Sequence, residues 1–104
     1  MRRPEITAAI KKGLEALPFD MEVWLYGSEA RGDARPDSDI DLLILLEGNH
    51  LSLQREEEIT TPLYEIELET GVPISPFVML KKQWYGRRIK TPFYVNVMNE
   101  GIRI

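Results

Sequence analysis

The chain has 104 residues, 43% of them apolar, with a formal charge of −4 and an isoelectric point near 5.0. That length supports one small domain burying roughly 60–70% of its unfolded surface, and an acidic chain without a basic stripe is not built as a general nucleic-acid binder. It has no cysteine, which excludes disulfides and thiolate zinc sites. No apolar run approaches the roughly 18 residues of a membrane span, and Met1-Arg2-Arg3-Pro4 lacks the apolar core of a signal peptide, so a cytoplasmic protein is expected.

Ile6, Ile10, Leu14 and Leu17 recur at helical spacing until Pro18, which predicts an amphipathic first helix. Met21 to Tyr26 is short and rich in β-formers, and it runs straight into Gly27, as a strand ending in a turn does. Ser28 is read as the N-cap of a brief helix through Arg31 that Gly32 ends. Ile40 to Leu46 is apolar except for Asp41, the pattern of a central strand covered on both faces. Ser52 to Thr70 carries Ile59, Leu63 and Ile66 on one helical face. Pro62 within it predicts either a kink or a second helix capped by Thr60 or Thr61, with Gly71 as the stop.

Val72 to Leu80 reads as a third strand, and Pro73 and Pro76 push it to an edge or a bulge. Lys81 to Arg88 and Thr91 to Glu100 read as short helices, the second capped by Thr91 with Pro92 in its first turn and Gly101 just past its end. His50 falls in a polar loop, and the pairs Lys11-Lys12, Lys81-Lys82 and Arg87-Arg88 read as solvated faces. Trp24, Tyr26, Trp84 and Phe93 are read as packing residues. Phe93, Val95, Val97, Met98, Ile102 and Ile104 exceed what one short helix need bury, which predicts a homodimer or a heteromeric contact.

Chemistry concentrates in residues 27 to 41. Side chains alternate along a strand, so Asp39 and Asp41 share a face and can share one hard cation. Mg²⁺ is the expected ion, because it favours one or two carboxylates plus substrate phosphates. Beside it, the backbone N–H groups at Gly27 and Ser28 can meet an anion, with Arg31 or Ser38 as a further donor. An unpaired Asp41 in an apolar run would cost several kcal/mol, so a cation or donor partner is expected, Arg31 being the alternative to a metal.

Gly27-Ser28, ten residues, then Asp39-Ile40-Asp41, written out as GSEARGDARPDSDIDLLI, resembles the signature of the minimal nucleotidyltransferases of the DNA polymerase β superfamily, often encoded beside a HEPN-domain partner. The resemblance implies an α/β fold, a small mixed sheet flanked by helices, occupying the whole chain. It implies binding of Mg²⁺ and a nucleoside triphosphate, usually ATP, and transfer of the monophosphate to an acceptor hydroxyl. In antitoxin-type members the acceptor is a tyrosine of the HEPN toxin. Gly27, Ser28, Asp39 and Asp41 match the motif. The resemblance also implies a third acid on the following strand, where this chain reads Val72-Pro73-Ile74-Ser75-Pro76-Phe77-Val78, and Glu65, Glu67 and Glu69 lie in the preceding helix. A second reading follows: an antitoxin or binding module that restrains its partner by contact and keeps the site for nucleotide sensing.

Overall fold

A computed structural model describes residues 3–104. Among these residues five helices and four strands follow one another: α1 (Arg3–Glu15), β1 (Met21–Tyr26), α2 (Ser28–Arg31), β2 (Ile40–Leu46), α3 (Leu53–Thr70), β3 (Ile74–Leu80), α4 (Lys81–Tyr85), α5 (Pro92–Glu100) and β4 (Ile102–Arg103). The strands form one mixed sheet in the order β3-β2-β1-β4. β1 is antiparallel to β2 and β4, whereas β2 and β3 run parallel, so an α-helical crossover, α3, must join them.

The position of β2 follows from its composition. Leu42 to Leu46 are fully buried, which only an inner strand with both faces covered allows. Its alternation divides the core. Ile40, Leu42, Ile44 and Leu46 pack with Ile6, Ile10 and Leu14 of α1 and Ile59 and Leu63 of α3. Leu43 and Leu45 face the other way, against Trp84 of α4 and Val97 of α5. Each fully buried Leu or Ile contributes about 1.5–3 kcal/mol, so this strand anchors three layers at once.

Two expectations are resolved by this packing. α3 runs unbroken through Pro62, and its cap is Ser52, whose hydroxyl accepts from the Arg55 N–H at 3.1 Å; neither Thr60 nor Thr61 starts a helix. Pro62 faces Gly13 of α1, where α1 and α3 pack together. β3 is indeed an edge strand, with Pro76 in it.

The C-terminus departs from expectation. Ile102 and Arg103 pair with Leu25 and Trp24, and Ile104 donates its N–H to the Val23 carbonyl at 3.0 Å. Val97 is buried, and Phe93, Met98 and Ile104 pack on the two core clusters, so most of the apolar surplus is used within the chain. Val95 and Ile102 stay exposed. Among the described residues no helix is long and apolar enough to cross a membrane.

Candidate active site

Cross-strand register sets the site. Tyr26 of β1 stands opposite Asp41 of β2, and Asp41 stands beside Ser75 of β3. Directly paired residues share a face, so Tyr26, Asp41 and Ser75 form one row, followed by Trp24, Leu43 and Phe77, then Glu22, Leu45 and Met79. The first row lies at the end of the sheet where β1 turns into α2 and where Asp39 leads into β2. Helices α4 and α5 cover this face farther along.

Gly27 forms the turn. Its φ of +69° is a conformation side chains rarely adopt, and a Cβ built there would lie 2.6 Å from Asp41 Oδ2. The glycine therefore allows the turn backbone to abut the Asp41 carboxylate. Ser28 is the first residue of α2 rather than its cap; the cap is Gly27, without a side-chain bond, and Gly32 closes the helix in the left-handed conformation.

Asp41 is partly buried, and its pKa is raised first by burial and then by the charge of Asp39, with Arg31 pulling the other way. Burial, and then the charge of the same carboxylate, push up the Tyr26 hydroxyl. Arg31 does not pair with Asp41. Its Nε meets Asp33 Oδ2 at 3.3 Å and its Nη1 lies 3.7 Å from Glu100 Oε2 on α5. Among the described residues no cationic side chain is bonded to Asp41, and two neighbouring carboxylates are oxygen donors of the kind a hard divalent ion such as Mg²⁺ takes.

Ser38 is engaged in its own loop: its hydroxyl accepts from the Arg35 N–H at 2.8 Å and its N–H donates to the Arg35 carbonyl at 3.0 Å. No third acid joins the pair, since among the described residues no group of three potential metal ligands occurs. Glu67 Oε1 instead accepts the Ile74 N–H at 2.8 Å, and Glu65 and Glu69 are exposed on α3, which packs against the opposite face of the sheet. Ser75 occupies the neighbouring strand position.

Sequence reading missed two contributors. A cavity of about 160 Å³ opens beside Gly27, lined by Tyr26, Arg31, Phe93, Asn96, Val97 and Glu100. The spacing of Asn96 and Glu100, one helical turn apart, was the available signal. A larger hollow of about 270 Å³, between α1 and Ile104, holds neither Asp39 nor Asp41. The other missed group is Glu22, on the same face as Asp41. Trp24 Nε1 donates to it at 3.0 Å, Tyr85 donates its hydroxyl, and Arg103 and Lys81 lie at 3.2 and 3.7 Å.

The nucleotidyltransferase domain family model matches residues 8–99. A Methanocaldococcus jannaschii protein provisionally named a protein adenylyltransferase is 32% identical over 102 residues, covering 96% of each chain. Two solved structures share the fold. A protein of Sulfolobus solfataricus, provisionally named a nucleotidyltransferase, aligns with a TM-score of 0.54 at 18% identity, over 95% of this chain and 76% of that one. The MntA-HpeT toxin-antitoxin structure aligns with a TM-score of 0.57 at 16% identity, over 100% of this chain and 72% of that one. With 92 residues under the family model and a relative this similar along its whole length, the chain belongs to the nucleotidyltransferase domain family and is a nucleotidyltransferase enzyme of mixed α/β fold.

Proposed function

We propose that the protein transfers AMP from ATP onto an acceptor hydroxyl with Asp39 and Asp41 as the Mg²⁺ ligands, and that the acceptor belongs to a protein partner of the HEPN toxin class. The observation that carries this reading is Asp41, partly buried, crowded by the charge of Asp39 and abutted by the Gly27 turn, while Arg31 bonds elsewhere. The relative named for protein adenylylation and the fold shared with a toxin-antitoxin nucleotidyltransferase support the choice of nucleotide and of partner.

In this proposal the Gly27-Ser28 turn receives the phosphate chain, Ser28 through its hydroxyl and Arg31 by exchanging Asp33 and Glu100 for a phosphate oxygen. Bound Mg²⁺ supplies Lewis-acid charge stabilisation at the α-phosphorus and the departing pyrophosphate. The acceptor oxygen forms a bond to the α-phosphorus as the bond to pyrophosphate breaks, and the hydroxyl proton leaves to an adjacent base. Beside Asp41 the neighbouring strand offers Ser75 and no carboxylate to serve as that base.

Transfer of α-labelled phosphate from ATP to the co-purifying or neighbouring-gene protein tests this. We expect Mg²⁺-dependent labelling that Asp41→Asn reduces by more than about 100-fold, beyond what loss of an outer-shell partner costs. Labelling unchanged in Asp39→Asn and Asp41→Asn would sink the assignment. Ser75 favours a second reading, in which the protein binds Mg·ATP and restrains its partner by contact; ATP binding without label transfer is its signature.

A further inference from the structure

Arg3, at the start of α1, ties together two parts of the site that are distant in sequence. Its Nε donates to Glu29 Oε2 of α2 at 2.7 Å. Nη1 reaches the carbonyls of Arg35 and Pro36 at 3.0 and 3.2 Å, and Nη2 that of Ser38 at 2.9 Å. The two charged side chains are only 15% and 12% exposed. Residues 33–39 contain no helix or strand, and their internal bonds amount to the turn between Arg35 and Ser38. Three of their carbonyls thus end on one guanidinium, the last of them one residue before Asp39.

We infer that Arg3 is a positioning residue of the nucleotidyl-transfer site: it clamps the loop that delivers Asp39 to the helix that follows the Gly27-Ser28 turn. This rests on the reading of Asp39 and Asp41 as metal ligands. The chemistry calls for arginine. A planar guanidinium presents five donors in a rigid fork and uses each of its three nitrogens here, whereas a lysine presents its donors from a single point and cannot span Glu29 and Ser38 together. Glu29, itself mostly buried, fixes the orientation of the fork and balances its charge. α1 does not depend on this clamp for docking, because Ile6, Ile10 and Leu14 bury it in the core.

The test compares Arg3→Lys and Arg3→Ala with Ile10→Val, which thins the core under the same helix without touching the loop. Two quantities are read in each: backbone hydrogen exchange over residues 33–41, and the affinity for Mn²⁺ in the presence of ATP, by electron paramagnetic resonance. Both Arg3 variants are expected to speed exchange in the loop by about tenfold or more, as local opening does. They are also expected to weaken Mn²⁺ binding by about 10–100-fold, the usual cost of losing an outer-shell partner, while Ile10→Val changes neither. Loop exchange and Mn²⁺ affinity unchanged in both Arg3 variants, or moved equally by Ile10→Val, would overturn the inference. If the intact protein binds no Mn²⁺ with ATP, the metal reading of Asp39 and Asp41 fails by itself, and loop exchange still decides whether Arg3 is the clamp.

Discussion

Two acids on one sheet face show how surroundings set a residue's task. Glu22 and Asp41 both point toward the α4 and α5 side, yet Glu22 is ringed by donors and, among the described residues, Asp41 is not. Burial alone would raise the Glu22 pKa, but hydrogen bonds from Tyr85 and Trp24 and the charges of Arg103 and Lys81 outweigh it and hold it below 4.5. Its partner Tyr85 is pushed up to about 12 by burial and by Glu22. The signs follow from linkage. The lowered Glu22 stabilises the fold above its ordinary value and loses that contribution as pH falls through the lowered one. The raised Tyr85 contributes fully below 10.0 and loses its share as pH climbs toward 12. Denaturant titrations across pH should therefore show stability declining below about pH 4.5 and above pH 10, and Glu22→Gln should remove the Glu22 part of the acid limb. At Gly27 the constraint is steric. Gly27→Ala combines a positive φ with a contact at 2.6 Å to Asp41, and should cost about 1–3 kcal/mol in denaturant unfolding and lower transfer activity further by displacing that carboxylate.

At the level of elements, local chemistry and tertiary contact pull in different directions in α3. Pro62 removes a backbone donor and would end an isolated helix, but here it faces Gly13 of α1 and the helix continues on both sides. The same contact leaves room for one methyl group. A Cβ at Gly13 would meet Pro62 and Ile66 at 3.9 and 4.0 Å, ordinary packing distances. Gly13→Ala should therefore stabilise the protein by up to about 1 kcal/mol, read as a higher midpoint of urea unfolding, because alanine is the better helix former. β4 illustrates the reverse case. Two residues are too few for any periodicity, and the strand exists because β1 offers an unpaired edge to the chain leaving α5.

For the whole molecule, the sheet order decides which acids meet and which do not. α3 carries its glutamates to the face opposite Asp41, and β3 sets Ser75 next to it, so the candidate site has two carboxylates with a vacant third position. Ser75→Asp is expected to fill it. With the fold kept, transfer should rise by about 10²-fold or more if a general base is what the site lacks, and an unchanged rate would place the proton acceptor on the partner or the substrate. The strands β1 and β2, the Gly27 turn and most helix ends were legible in the sequence, because alternation, helical periodicity and capping chemistry act over a few neighbouring residues. The opposition of Tyr26 and Asp41, the Arg3 clamp 35 residues from Ser38, the bond from Tyr85 to Glu22 across 63 residues, and β4 were decided by the tertiary structure alone, because each depends on strand register and on chain closure between segments whose own sequences carry no mark of the partner.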